Sequence, residues 1–379
     1  MASTNKSPLP LTMNSLVQAA PSQPFNFGPS PTPSPLPGTA IVRILHAGVN
    51  SYFKAVYQGD RGLPYPTPLI PGPSAVGRVV ALGPDSTALK IDDLVYVDCV
   101  VRSRDDPNNH MFLLGFMQGL TEGSLKLMRD VWRDGTYAEF CRVPLENVYV
   151  LNEERLRSRE ADLASLNRYL VCYGGLRGVG IQAGETVVVA PATGGFSGAG
   201  VAVAVAMGAS VIAMGRNEEA LMKLTKLFGD TGRLKTVKIT GDAEYDAEEL
   251  RKASVGGSID AALDISPPMA AESTHLKSII SAMGSGGRIS MMGGIPGDVM
   301  IPYGAIMLKS LTLQGKWMYE RRDAQALIKM VESGLLRIGS DGGVKVEAFK
   351  FEDWGKAFDR AEEKAGWDHF VVIGSEVKR

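Results

Sequence analysis

The chain has 379 residues and little of what most specialised sites and surfaces need. It has only 3 cysteines, Cys99, Cys141 and Cys172, far apart in sequence. An odd, unclustered set excludes a disulfide framework and fits reduced thiols in a cytoplasmic protein. The 4 histidines, His46, His110, His275 and His369, never pair with a cysteine at ligand spacing. A zinc site needs three or four soft or imidazole ligands, so no metal site is expected. There is no excess of positive charge: 40 Lys and Arg face 41 Asp and Glu, for a net charge of −1. Nucleic-acid and membrane surfaces both need a basic excess, so neither partner is expected. The opening "MASTNKSPLPLTMNSLVQ" lacks the apolar core of a signal peptide. The longest apolar run, Gly198 to Gly215, approaches membrane-span length, but glycines punctuate it and polar residues flank it. It reads as a buried helix followed by a buried strand.

What is present is ordinary globular material, 45% apolar and 21% charged, and long enough for two domains. Residues 20–38, "APSQPFNFGPSPTPSPLPG", are rich in proline and read as extended, so residues 1–37 are either an N-terminal connector or the start of the first domain. From Ala40, short apolar runs broken by turn residues ("AIVRILHAGV", "AVGRVVALG", "DLVYVDCVV", "TYAEFCRVP", "NVYVL") predict a β-rich domain. Arg102 to Gly135 interrupts it as a long excursion with some helix, placed as a lid would be. After about residue 160, "TVVVA", "SVIAMG", "KTVKIT", "IDAALDI", "GRISMMG" and "SLTLQGKWM" predict strands, with helical segments between the earlier ones. That alternation means α/β architecture, with a parallel sheet covered on both faces. The tail from Arg321 is mixed and is expected to return to the first domain. The boundaries are therefore 38–160 with 321–379 for one domain, and 161–320 for the other.

"TVVVAPATGGFSGAGVAVAVAMG" is strand, glycine-rich turn, helix, the context that a phosphate-binding turn requires. Small residues let the backbone approach a pyrophosphate, and the helix N-terminus offers free amides and a positive dipole end. Thr193, Gly194, Gly198 and Gly200 spell the short-chain dehydrogenase pattern. That family needs a downstream Tyr-x-x-x-Lys, but Tyr245, Tyr303 and Tyr319 are followed four residues on by Glu249, Met307 and Asp323. About twenty residues past the turn, where a carboxylate would hold the ribose of NAD, the second strand ends "VIAMGRN". Arg216 there suits the 2′-phosphate of NADPH.

The order and spacing of "HAGVN", "PLIPGPSAVGRVVALG", "DDLVYVD", "GTYAEFCRVP", "GIQAGETVVVAPATGGFSGAG", "GGRISMMGG" and "SLTLQGKWMY" resemble the medium-chain dehydrogenase/reductase superfamily over about residues 38–379. The resemblance implies a GroES-like β-rich catalytic domain, a Rossmann domain with a doubly wound parallel sheet, an active site in the cleft between them, and a homodimer. Zinc-dependent members carry a cysteine where this chain has Asn50 and a His-Glu pair where it has Pro73 and Ser74; Cys172 lies near the third ligand position. Asn50 instead resembles the zinc-independent quinone oxidoreductase and enoyl reductase branch, where the asparagine sits near the nicotinamide. That branch usually has an aspartate at Phe53 and a turn A-x-x-G-x-x-G, here Pro191, Gly194 and Ser197.

The expected activity is hydride transfer from NADPH to an activated C=C of an enone, enoyl or quinone-type substrate. The alternatives are a carbonyl reductase or alcohol dehydrogenase, and a catalytically silent NADPH-binding protein. Asn50, Tyr52 and Tyr57 are the catalytic candidates, Tyr52 being the preferred hydroxyl, and His110 joins them if the excursion is a lid. The cofactor candidates are Thr193, Gly194, Gly195, Phe196 and Ser197 of the turn, Arg216 and Asn217 after the second strand, and Gly293, Gly294 and Ile295 in the loop that the resemblance places beside the nicotinamide. Trp317 and Tyr319 read as an aromatic wall or a dimer edge. The methionine-rich segments "MFLLGFMQG" and "IPYGAIML" predict an apolar, adaptable substrate pocket.

Overall fold

The computed structural model describes residues 9–156 and 159–375, so the first part of the expected connector and the last residues of the tail lie outside it. Of the two expectations for the proline-rich segment, the start of the first domain describes it better than a connector. Strand β1 (Thr12–Val17) pairs antiparallel with β2 (Asn26–Pro31). Pro29 and Pro31 are tolerated because β2 has no other neighbour, so their missing N–H groups break no further ladder. The outer side of β1 docks on the next domain, where Leu16 N–H donates to Tyr137 O and Gln18 N–H to Leu69 O, both at 2.9 Å.

The first large sheet is built around β3 (Thr39–Val49), whose 11 residues are almost all buried. Helix α1 (Phe53–Tyr57) follows, then strands β4 (Ala75–Leu82) and β5 (Leu94–Val97). The excursion contains β6 (Val100–Arg102), β7 (Met111–Leu113) and α2 (Glu122–Asp130). Strands β8 (Phe140–Pro144) and β9 (Val148–Val150) close this part, and helices α3 (Glu160–Leu163) and α4 (Leu166–Gly178) leave it.

The second sheet begins with β10 (Thr186–Ala190) and α5 (Gly195–Ala206). It continues through β11 (Ser210–Gly215), α6 (Glu218–Phe228), β12 (Leu234–Lys238), α7 (Ala243–Ala253), β13 (Ala261–Asp264), α8 (His275–Ala282), β14 (Arg288–Met291), α9 (Tyr303–Leu308) and β15 (Thr312–Gly315). Its strands are all parallel, in the order β12-β11-β10-β13-β14-β15. That is the doubly wound Rossmann order, reversing direction beside β10. Every residue of β10 is buried, as a central parallel strand with both faces covered requires. The long apolar run of the sequence divides here into α5 and β11. No helix among the described residues is long and apolar enough to cross a membrane.

The tail contributes α10 (Arg321–Glu332), β16 (Lys345–Lys350), α11 (Trp354–Glu363) and β17 (His369–Gly374). β17 pairs with β3 and carries β16 at its outer edge, which completes a seven-stranded sheet, β16-β17-β3-β4-β5-β9 with β8 also on β3. The chain therefore leaves the first sheet, builds the second and returns.

Candidate active site

The C-terminal ends of β10, β11, β13 and β14 open on one edge of the parallel sheet, the edge where such sheets bind ligands at the reversal of strand order. The turn after β10 forms its floor. Gly194 is the N-cap of α5, and its N–H donates to Ser197 Oγ at 3.1 Å. Thr193 leans on the end of β11: a Cβ on Gly215 would lie 3.0 Å from Thr193 Cγ2. Beyond Gly215, Arg216 is exposed and makes no hydrogen bond or ion pair to another described residue. Asn217 is the N-cap of α6, its Oδ1 accepting from Ala220 N–H at 3.0 Å. On the other side of the crevice, Gly294 N–H donates to Ser266 O at 2.8 Å. A Cβ on Gly293 would lie 2.9 Å from Ser266 N, so only glycine fits there. Ile295 follows, half-buried. All the cofactor candidates named from the sequence thus lie along this edge.

The catalytic candidates separate. Asn50 directly follows β3 and is buried, its Oδ1 accepting from Arg168 Nε at 2.9 Å. Tyr52 is partly buried, with ring centroids 5.2 Å from Phe53, 6.1 Å from Phe116 and 6.2 Å from Phe196. Phe196 belongs to α5 and Phe116 to the excursion, so Tyr52 stands where the turn, the first sheet and the excursion meet. Its hydroxyl bonds to no other described residue. Burial raises the phenol well above its usual range and nearby Cys99 adds to this, while Arg61 and Arg168 pull the other way. Tyr57 belongs to the core instead of the cleft. It is 3% exposed, and its hydroxyl donates to Gly115 O at 2.9 Å and accepts from Gly72 N–H at 3.2 Å. Both hydroxyl functions are spent on holding two loops together. His110 is also committed, its Nδ1 lying 2.8 Å from Thr121 Oγ1 at the start of α2. Tyr319 is fully buried, its hydroxyl donating to Asp98 Oδ1, whereas Trp317 is partly exposed.

Helix α4 was not legible as part of the site. Asn167 Nδ2 donates to Cys99 Sγ at 3.3 Å, and Tyr319 OH lies 3.9 Å from the same sulfur. Burial pushes the Cys99 thiol up, which keeps it protonated and unreactive. Asp98 is buried beside it, and burial pushes its carboxyl up to about 6 against the pull of Tyr319, the Val100 N–H and Arg102. Cys172 faces the turn, its thiol donating to Phe196 O at 3.0 Å. Among the described residues, no three His, Cys, Asp or Glu side chains cluster as metal ligands.

The family described as alcohol dehydrogenase GroES-like domain matches residues 36–153, and the one described as zinc-binding dehydrogenase matches residues 196–333. Together they cover well over half of the chain, one on each sheet. The chain belongs to the medium-chain dehydrogenase/reductase superfamily. An alcohol dehydrogenase of Geobacillus stearothermophilus is 27% identical over 325 residues, covering 85% of this chain and 88% of that one. An L-threonine 3-dehydrogenase of Klebsiella pneumoniae is 24% identical over 324 residues, covering 82% and 84%. Among solved structures, a crotonyl-CoA carboxylase/reductase superposes with a TM-score of 0.77 at 18% identity, covering 98% of this chain and 90% of that one. A putative alcohol dehydrogenase of Sinorhizobium meliloti 1021 does so with 0.76 at 24% identity, covering 97% and 98%.

Members of this superfamily bind a nicotinamide cofactor, and the crevice fits one. Gly194 and Gly195 present bare backbone at the start of a 12-residue helix. A Cβ on Gly195 would lie 2.8 Å from the Arg168 guanidinium carbon, so the turn carries a cation against it. Thr193 to Ser197 would hold the pyrophosphate, Arg216 and Asn217 the adenosine end, and Gly293 to Ile295 the nicotinamide end.

Proposed function

We propose that the protein is an NADPH-dependent, zinc-independent reductase of an activated C=C bond, in an enone, enoyl or quinone-type substrate. The observation that carries this reading is the surroundings of Asn50. Zinc-dependent members place a cysteine there, with a histidine and a glutamate at the Pro73 and Ser74 positions. Here the amide accepts from a guanidinium, proline offers no ligand, and the nearby Cys172 thiol is turned to Phe196 O. Polarising a simple ketone or aldehyde without a Lewis acid is hard, whereas a conjugated acceptor needs only orientation and a proton. The cofactor supplies the hydride when bound. The Tyr52 hydroxyl, which bonds to no other described residue, can donate a hydrogen bond to the developing enolate oxygen or give its proton to the α-carbon, with solvent restoring that proton afterwards. Phe53, Phe116 and Phe196 around its ring favour an apolar substrate.

After dialysis against a chelator, the protein is expected to oxidise NADPH with enones, enoyl thioesters or quinones at an undiminished rate. Turnover of aldehydes alone would assign it instead to the carbonyl reductases and alcohol dehydrogenases, the name that several relatives bear. Tight NADPH binding without turnover on a broad panel would mark a silent binding protein.

Arg216 carries the NADPH preference in this reading. A charge-assisted hydrogen bond contributes about 1.5–3 kcal/mol, so Arg216→Ala is expected to lower the ratio of NADPH to NADH affinity by about 10–100-fold. Equal ratios in titrations of both proteins would remove the assignment.

The reading also includes a homodimer in the cytoplasm. β15 is the edge of the parallel sheet, and Met300, Tyr303, Met307 and Leu308 are exposed in the segment leading to it. A second copy paired along that edge would cover them. Sedimentation should give twice the 40.5 kDa chain mass, and Leu308→Glu should return the monomer; a monomeric parent protein would refute the pairing.

A further inference from the structure

Arg168 is the third residue of α4 and is 6% exposed. Its Nε donates to Asn50 Oδ1 at 2.9 Å and its Nη1 to His369 O at 2.8 Å, and its guanidinium carbon lies 4.5 Å from the Phe370 ring centroid. None of these partners is an anion. Buried charges in proteins are normally paired, because an isolated ion loses its hydration with nothing in return. Yet no carboxylate among the described residues forms an ion pair with Arg168. Asp368, next to the residue whose carbonyl takes Nη1, points away to Lys223 Nζ at 3.0 Å. Burial accordingly pulls the guanidinium down to about 10.

The open edge of this cation has a direction. A Cβ on Gly195 would lie 3.0 Å from both Nη1 and Nη2, and Nη2 has no hydrogen-bond partner among the described residues. Gly195 opens α5, whose first-turn N–H groups have no preceding helical carbonyl to meet. A buried guanidinium without a counter-ion and a helix N-terminus therefore converge on one point from two separate elements.

We infer that Arg168 is a counter-ion for the diphosphate of the bound dinucleotide, clamping it against the first turn of α5. The inference rests on the dinucleotide reading of the turn at 191–200. It assigns the missing anion to the ligand and explains why residue 195 has no side chain. It also makes Arg168 indifferent to the 2′-phosphate, since the contact is to the part that NADPH and NADH share.

Arg168→Met should weaken ADP-ribose, NADH and NADPH by the same factor, about 10–100-fold for a lost charge-assisted pair. Because the variant also leaves Asn50 Oδ1 and His369 O without a donor, ADP-ribose affinity is measured well below the melting temperature, where a merely structural arginine would leave it unchanged. Gly195→Ala should produce a similar loss in the parent protein and little further loss in Arg168→Met, since its methyl acts by displacing the guanidinium. If Arg168→Met does not fold, Arg168→Lys carries the test: it keeps the charge, loses the planar fork, and should weaken ADP-ribose several-fold. Affinity for ADP-ribose within twofold of the parent in a folded Arg168 variant overturns the inference alone. Failure of the parent protein to bind ADP-ribose at all overturns the dinucleotide reading and this inference with it.

Discussion

Tyr52→Phe is expected to lower kcat by about 10²–10⁴-fold, the usual worth of a positioned proton donor. The substitution deletes a single oxygen. The ring contacts with Phe53, Phe116 and Phe196 remain, and the hydroxyl bonds to no other described residue, so folding stability should stay unchanged. NADPH affinity should also hold, because the turn is untouched. A loss in kcat with unaltered cofactor binding places the hydroxyl in the transition state. A variant as active as its parent would remove Tyr52 from the chemistry, and steady-state kinetics on a reactive enone decides between the two.

Asp98→Asn is expected to stabilise the protein by up to about 3 kcal/mol at neutral pH, where each pH unit of displacement is worth about 1.4 kcal/mol. The Asp98 carboxyl rises from 3.8 to about 6 on folding, because burial outweighs its bonds from Tyr319 and Val100. The folded state therefore holds the proton more tightly than the unfolded chain. Its contribution is complete below about pH 4, falls as pH rises towards 6, and is absent above that. The amide is neutral throughout and can still accept from the Tyr319 hydroxyl. Denaturant titrations between pH 4 and 7 should show this slope in the parent and a flatter one in the variant. An equal slope in both would contradict the assignment.

Much of the architecture was legible in the sequence because parallel strands buried on both faces leave continuous apolar runs. "TVVVA" and "IDAALDI" could not be exposed, and the amphipathic "NEEALMKLTKLFG" had to lie on a sheet. The last strand was legible in "DHFVVIG", and the return of the tail was expected from its mixed character after the β-α units; the structure adds the pairing of that strand with β3. Helix α4 was not. Residues 166–176 are all buried, so no polar face marks the helical period, and Gly174 and Gly175 count against a helix. Those glycines are there for contact: a Cβ on Gly174 would lie 2.7 Å from Met318 O, and one on Gly175 would collide with Met292 Sδ. Missing α4 meant missing Asn167 and Arg168, the two polar residues it brings to Cys99 and Asn50. Tyr57 stood as a candidate beside the preferred Tyr52 for a related reason. Residues five apart on a helix point about 140° away from each other, and sequence alone does not say which one faces the cleft. The pairing of β2 was hidden by its prolines, which mark an edge strand as readily as a linker.

The central claim is hydride transfer from NADPH to an activated carbon without a catalytic metal. Stereospecifically 4-deuterated NADPH, incubated with the chelator-treated protein and an apolar enone, tests it most directly, with the position of the label read by NMR. Deuterium on the β-carbon, from protein whose zinc content is far below one per chain, is the predicted result. Deuterium on the carbonyl carbon, or transfer that appears only when zinc is restored, would contradict the account.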